Sequence, residues 1–384
     1  MTGGVIHPGS TIGIVGGGQL GRMLVLEARR MGYRTAVLDP GAGAPAAQVA
    51  DLHVPSALDD PEGLRRLADA ADVLTLEWEN ADPDALASLG RGTPVHPGPE
   101  VLRVSRNRVR EKDRATALGL ETAPYRPVRS AADLSRALRE VGTPAILKTA
   151  EGGYDGRGQA RIAAPEEADR AFHAVGGGRR PLILEGMVSF QAELSVVFAR
   201  SAAGEDAAFP VVRNVHQNGI LDTTVAPSGA PSAVEAEAVD IARTIARGLS
   251  IVGVFAVELF WMHDDRLLVN EMAPRPHNSG HLTWEACPVS QFEQQLRAVC
   301  GLPLGDTTLH RPTAMANLLG RHFAEGAARG WPRTAYPTPA VSLHLYGKSE
   351  LRPDRKMGHL TAFGRDADDA LRTVMQARDS LRSG

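Results

Sequence analysis

The stretch Ala145–Gln159, AILKTAEGGYDGRGQ, decides how the rest of the chain is read. Gly142-Thr143-Pro144 precedes the short apolar run Ala145–Leu147, which therefore reads as the start of a strand with Lys148 at its end. The loop beyond holds four glycines in seven residues, Gly152, Gly153, Gly156 and Gly158. Glycine takes positive φ freely and lets the backbone approach a ligand closely. Successive N–H groups in such a loop form a concavity for anions, and a lysine beside it points to polyphosphate. A plain hairpin turn would account for the glycines alone, but it has no need of Tyr154, Asp155 and Arg157.

Working outward, 384 residues are too many for one small domain and predict two or three. A hydrophobic fraction of 43% and a charged fraction of 23% are those of a soluble globular chain. The net charge of −3 argues against a broad surface for nucleic acid or acidic membrane, and leaves room for a local basic pocket. Cys287 and Cys300 are too few for a disulfide framework or a thiolate metal site and fit a reducing, cytosolic compartment. No signal peptide and no bilayer-spanning apolar run is visible. Lysine is nearly absent, with only Lys112, Lys148, Lys348 and Lys356. High-GC coding explains the bias; against it, a surviving lysine hints at a site where a guanidinium does not serve.

Upstream, the expected strand Thr11–Val15 enters G16-G-G-Q-L-G21, a helix-like segment follows, and a second strand, Thr35–Leu38, ends at Asp39. Strand, glycine turn, helix, strand and terminal acid open a Rossmann-type unit. Gly16-x-Gly18-x-x-Gly21 with Asp39 eighteen residues on matches the dinucleotide fingerprint. The same glycines can serve strand–helix packing and leave the helix N-terminus to another anion, such as a sugar phosphate. Short strands at Val54–Pro55 and Val73–Leu76, with a helix over Pro61–Ala70, continue a parallel sheet. Glu77 and Glu79 lie beyond its third strand, where α/β sheets bind ligands, although two solvated loop acids would read the same.

After the break at Val95–Pro99, Glu100–Leu118 reads as one basic helix. Its face is solvated by default, or supplies a cation or two to a phosphate site. Helices are expected over Asp133–Val141, Glu166–Ala174 and Ala233–Leu249, and strands over Pro181–Glu185, Glu193–Phe198 and Phe209–Val212. Two β-rich runs then flank Asp264-Asp265. A regular hairpin about that turn puts Glu258 opposite Glu271, and facing like charges destabilise a ladder unless a cation is shared. Carboxylate oxygens suit Mg²⁺, and Asn270 adds another oxygen; a longer loop and shifted register would separate the two acids. Arg275, His277, Asn278 and Ser279 follow on irregular backbone, where substrate contacts gather. The remainder, Thr313–Gly384, is short-stranded with a basic edge at Lys348, Arg355 and Lys356, and is expected to pack onto the main body.

The glycine loop after Lys148, the paired acids and the Rossmann-like opening together resemble the ATP-grasp ligases. Within them, GGGQLGRM, GGYDGRGQ, NEMAPRPHNSGH and RKMGH resemble the N5-carboxyaminoimidazole ribonucleotide synthase family, over about Ile12 to Phe363. The resemblance implies an α/β and α+β architecture in three parts: a pre-ATP-grasp α/β domain over 1–112, an ATP-grasp domain over 113–310 with a mobile lobe at about 120–190, and a small β-rich domain over 311–384. It implies a homodimer and a reaction of ATP, bicarbonate and 5-aminoimidazole ribonucleotide, through carboxyphosphate, in purine biosynthesis. Two Mg²⁺ ions would assist.

The implied roles are these. Arg108 and Lys148 would neutralise ATP phosphates under a cover of Gly153, Tyr154, Asp155, Gly156, Arg157, Gly158 and Gln159. Glu185, Gly186, Met187 and Val188 would line the adenine slot, with Glu193 on the ribose and His216 as a further contact. Glu258 and Glu271, with Asn270 nearby, would hold the metal. Gln19, Leu20, Glu77, Tyr154, Asp155, Arg275, Asn278, Lys348 and Arg355 would meet the ribonucleotide, and His277 with Arg275 would surround bicarbonate. The glycines of Gly16–Gly21 would then face that nucleotide. Asp155 is the candidate for orienting the exocyclic amine or taking its proton. Where an acid is expected before the phosphate-binding arginine, the chain has Asn107, so Arg106 competes with Arg108, which is preferred. Another ATP-grasp ligase, such as a formate-using transformylase, an NAD-dependent oxidoreductase and an inactive nucleotide-binding regulator are the rival readings.

Overall fold

A computed structural model describes residues 4–90, 92–153, 158–323 and 340–381. Strands β1 (Thr11–Val15), β2 (Arg34–Leu38), β3 (Leu52–Val54), β4 (Val73–Leu76) and β5 (Val95–His96) form a parallel sheet in the order β3-β2-β1-β4-β5. β1 and β4 are apolar because both faces of the sheet are covered. Helix α1 (Gln19–Arg30) and the distant helix Gln291–Val299 pack on one face. Helices α2 (Pro61–Asp69) and α3 (Pro83–Ala87) pack on the other. Strand order reverses between β1 and β4, so the loops after these two strands open a crevice at their carboxyl ends. β3 stops before Pro55, which has no amide hydrogen to give the ladder.

The basic stretch expected as one helix is two, α4 (Pro99–Ser105) and α5 (Arg108–Ala117). Asn107 breaks it. Its backbone is extended, and its Oδ1 accepts the N–H groups of Val109 and Arg110 at 3.1 Å each, which makes it the N-cap of α5. Next comes a small antiparallel sheet of β6 (Tyr125–Val128), β7 (Ala145–Thr149), β8 (Gln159–Ile162) and β9 (Leu182–Gly186), in the order β6-β9-β7-β8. Helices α6 (Ala131–Val141) and α7 (Ala168–Ala174) bury Leu134, Leu138 and Phe172 against it.

The largest sheet has nine strands among the described residues. These are β10 (Phe190–Arg200), β11 (Asp206–Ala208), β12 (Val212–Gln217), β13 (Ile220–Ala226), β14 (Gly253–Met262), β15 (Leu267–Ala273), β16 (Thr313–Leu319), β17 (Val341–Leu345) and β18 (Lys356–Phe363). Their order is β15-β14-β10-β12-β13-β16-β18-β17, with β11 on β10. The strand expected over Phe209–Val212 is absent: Pro210 interrupts the ladder, and β11 and β12 lie on either side of it. Helix α8 (Ser232–Gly248) covers one face through Ile241, Ala242 and Ile245, packed on Phe198 and Phe255. The chain passes through α9 (Thr283–Ala286) and α10 (Gln291–Val299) before β16. The carboxyl-terminal strands pair directly: β16 joins β13 and β18 in one continuous sheet. Helix α11 (Ala367–Ser380) closes over them, tied down by Arg378, whose buried guanidinium donates to both oxygens of Asp222 on β13 at 2.6 and 3.2 Å.

Candidate active site

One cleft of about 1090 Å³ opens where the three sheets meet. The loops after β1 and β4 bring Gln19, Leu20, Glu77 and Glu79 to it. α5 and β7 bring Arg108 and Lys148, and the glycine loop brings Gly153 and Gln159. The large sheet supplies Glu193, His216, Glu258, Asn270 and Glu271, and the loop after β15 supplies Arg275, His277 and Asn278. Lys348 and Arg355 enter from the segment between β17 and β18. Residues more than 300 positions apart in the chain touch: Lys348 Nζ donates to Gln19 Oε1 at 2.7 Å. Tyr154, Asp155, Gly156 and Arg157 lie outside the described residues. Glu185, Gly186, Met187, Val188 and Gly158 are not on the cleft wall.

The paired acids sit on the β14–β15 hairpin, and their pairing depends on an irregularity. Trp261 pairs with Leu267, Phe260 with Leu268 and Leu259 with Val269, one residue tighter than a regular hairpin about Asp264-Asp265. A bulge at Asn270 takes up the difference, so Glu258 faces Glu271. The two acids lie side by side on the cleft wall, Glu258 with 12% of its side chain exposed and Glu271 with 40%. Burial and the Glu271 charge push the Glu258 carboxyl up. Burial would raise Glu271 too, but Arg108, whose Nη1 donates to Glu271 Oε2 at 2.9 Å, outweighs it and holds that carboxyl down. His277 Nε2 lies 3.3 Å from Glu258 Oε1. Burial and the Arg275 charge hold that imidazole at about 3, so it is neutral. Near the same acids, His216 hydrogen-bonds Glu193 Oε2 at 2.6 Å; burial disfavours its charge, but Glu193 and Glu258 push it up to about 8.

The glycine turn after β1 already holds a carboxylate of the chain itself. The Glu77 carboxylate accepts from Gly18 N–H at 2.7 Å and Gly21 N–H at 3.2 Å, taking two of the amino-terminal donors of α1. A Cβ on Gly16, which has φ 102°, would stand 2.6 Å from Glu77 Cγ. Asp39 turns inward as well, accepting from Gly17 and Gly41 N–H at 2.9 and 2.8 Å. A dinucleotide pyrophosphate would meet a carboxylate there, and the acid of the fingerprint caps a turn. Glu79 pairs with Arg275 across the crevice.

The scarce lysines converge. Lys148, Lys348 and Lys356 line the cleft. Lys112, in the run expected to be solvated by default or to supply a cation or two to a phosphate site, is 2% exposed, donates to Asn270 O at 3.2 Å and lies 3.6 Å from Glu185 Oε2. Lys148 Nζ donates to the same Glu185 oxygen at 3.0 Å, so the carboxylate expected to line a base slot holds two ammonium groups in place. Arg108 also reaches Gly153 O at 3.3 Å, whereas Arg106 points to Ala81 O at 3.5 Å and Asp82 at 3.9 Å. Glu111 was missed as well: its buried carboxylate accepts from Met272 N–H beside Glu271, and burial with the Glu271 charge pushes it up to about 8. The break at Asn107 was the signal for both, because it changes which face of α5 turns inward. Asn278 is 7% exposed, and neither end of its amide has a hydrogen-bond partner among the described residues.

Three family models match in order: the ribonucleotide synthetase preATP-grasp domain over 10–106, the ATP-grasp domain over 113–292, and the phosphoribosylaminoimidazole carboxylase C-terminal domain over 313–373. The N5-carboxyaminoimidazole ribonucleotide synthase of Bacillus subtilis is 42% identical over 374 residues, 96% of each chain. A solved N5-carboxyaminoimidazole ribonucleotide synthetase in complex with ADP superposes with a TM-score of 0.93 at 41% identity, over 99% of this chain and 98% of that one. The Aspergillus clavatus synthase in complex with ADP and 5-aminoimidazole ribonucleotide superposes with a TM-score of 0.89 at 31% identity, over 97% and 98%. Identity along the whole length, on a fold and a cleft of this construction, shows that the chain belongs to the N5-carboxyaminoimidazole ribonucleotide synthase family of ATP-grasp ligases.

Proposed function

We propose that the chain carboxylates the exocyclic amine of 5-aminoimidazole ribonucleotide with bicarbonate, converting ATP to ADP and phosphate in purine biosynthesis. The observation that carries this reading is the meeting in one cleft of three chemistries: paired acids, phosphate-sized cations and a neutral donor cluster at His277 and Asn278. The acids fit Mg²⁺. Two carboxylates facing each other across the ladder, with the Asn270 bulge beside them, are the oxygen set that this ion shares with substrate phosphates. Glu258, Glu271 and Asn270 would hold it, and its chemistry there is to neutralise and orient phosphate oxygens.

The chain's own residues do the rest. Arg108 and Lys148 neutralise the ATP phosphates, and the loop over Gly153–Gln159 covers them. Glu185, Gly186, Met187, Val188, Glu193 and His216 serve the nucleoside end. A bicarbonate oxygen attacks the γ-phosphorus and ADP leaves, giving carboxyphosphate; positioning and charge neutralisation dominate such a step. Arg275, His277 and Asn278 hold the bicarbonate. Closure over the site keeps water from the intermediate. The amine then attacks the carbon, phosphate leaves, and Asp155 orients the amine or takes its proton. Gln19, Leu20, Glu77, Lys348 and Arg355 hold the ribonucleotide. A homodimer and a cytoplasmic location belong to the same proposal and rest on the family resemblance and on two unpaired cysteines.

The test is ADP release in Mg-ATP, with and without bicarbonate and 5-aminoimidazole ribonucleotide. Strong stimulation by the ribonucleotide, lost without bicarbonate, is expected. Stimulation by formate in place of bicarbonate would replace the acid substrate and keep the ATP chemistry.

A further inference from the structure

Beneath the cleft, the large sheet carries a row of buried polar side chains that the reaction does not use. Thr224 on β13, Asn214 on β12, Ser195 on β10 and Ser279 after His277 are all at most 4% exposed. Thr224 Oγ1 meets Asn214 Oδ1 at 2.9 Å, Asn214 Nδ2 meets Ser195 Oγ at 2.9 Å, Ser195 Oγ meets Ser279 Oγ at 2.8 Å, and Ser279 Oγ meets His277 Nδ1 at 2.9 Å. The sheet register assembles the row: Asn214 is the cross-strand partner of Thr224, and Ser195 that of Glu258.

The direction of this row follows from what each group can do. An amide nitrogen can only donate, so Ser195 Oγ accepts from Asn214. The single Ser195 proton then goes to Ser279, and the Ser279 proton goes to His277 Nδ1. Ser279 N–H points the same way, 3.3 Å from His277 Nδ1. Nδ1 is therefore an acceptor, and the ring proton sits on Nε2, the nitrogen facing Glu258 in the cleft.

We propose that Asn214, Ser195 and Ser279 are positioning residues whose one-way donor chain locks His277 as the Nε2–H tautomer, making it a hydrogen-bond donor to an anion in the cleft rather than a base. With Nδ1 accepting and the single ring proton on Nε2, the ring is neutral and suited to that task. That the anion is bicarbonate rests on the carboxylation reading; the tautomer does not.

The test is nitrogen NMR of histidine-labelled protein, with the His277 signals identified by their loss in His277→Asn. The wild type is expected to show an unprotonated Nδ1 and a protonated Nε2. Asn214→Asp keeps the shape but leaves only acceptors. Ser195 then donates toward the sheet and Ser279 to Ser195, which leaves only Ser279 N–H on Nδ1, so a measurable fraction of the His277 proton is expected to shift to Nδ1. Ser195→Ala, which adds no charge, is expected to give a mixture of tautomers. In turnover, Asn214→Asp should raise the KM for bicarbonate at least ten-fold and that for ATP less than three-fold. A protonated Nδ1 in the wild type, or the wild-type tautomer retained in both variants, overturns the proposal. A confirmed tautomer with no bicarbonate dependence in the wild type would instead refute the carboxylation reading.

Discussion

Arg106 and Arg108 compete for one role in the sequence, and their geometry separates them. Arg108 hydrogen-bonds Glu271 at 2.9 Å and the glycine loop at Gly153 O, and its side chain is 22% exposed. Arg106 reaches only toward Ala81 and Asp82 on the other wall. Arg108→Met removes a charge-assisted hydrogen bond from a partly enclosed site, which costs about 1.5–3 kcal/mol. At about 1.4 kcal/mol per factor of ten, the KM for ATP should rise roughly ten- to 150-fold. A second effect compounds the first. Without the arginine, burial of the Glu271 carboxyl is opposed mainly by the more distant Lys148, so its pKa rises and the Mg²⁺ needed for half-maximal rate should rise with it. Arg106→Met should change the KM for ATP less than three-fold. The assay is ADP release against ATP at saturating Mg²⁺, bicarbonate and 5-aminoimidazole ribonucleotide, with the ADP-induced shift in Tm as a measure of binding. If Arg106→Met weakens ATP more than Arg108→Met, the assignment drawn from these contacts is wrong.

Three other outcomes follow from the same structure. Glu271→Ala should abolish Mg²⁺-dependent ADP release, and near-normal turnover would remove the paired acids from metal binding. Arg378→Met should destabilise the protein by about 3–5 kcal/mol, because it strands Asp222 in a buried site; the double variant with Asp222→Leu should recover most of that loss in urea unfolding, and a double variant as unstable as the single would refute the account. His281 and His359 are buried and stacked at 4.7 Å, and burial holds both imidazoles well below their ordinary range. The unfolded chain takes up protons near pH 6.5 where the folded one does not, so stability should fall as pH drops below about 6.5, by up to ~1.4 kcal/mol per pH unit for each ring. His359→Phe should flatten the fall in Tm between pH 7 and 5, and an unchanged slope would count against this linkage.

Local rules made some of this protein legible before any fold was known. Alternation and apolar runs bounded by glycine and proline locate β1, β4 and β7 within a residue, because such signals act between near neighbours. The Glu258–Glu271 pairing was readable for the same reason, since a hairpin is local. The reading reached the right pair through a turn one residue too wide, and only the bulge at Asn270 reconciles the two. The occupant of the α1 amino-terminus was not readable. Glu77 lies 59 residues from Gly18, and nothing in the glycine spacing says that a carboxylate will arrive there. Lys112 and Glu185 carry the same lesson, because a basic run on a helix looks solvated until the Asn107 cap turns one face into the interior. The donor chain through Asn214, Ser195 and Ser279 is tertiary altogether: each residue alone is an ordinary strand or loop polar group. Sequence by itself determined the elements and the chemical groups available. Tertiary structure decided which groups meet, because desolvation and donor–acceptor pairing act between parts of the chain that only the packed sheets bring together.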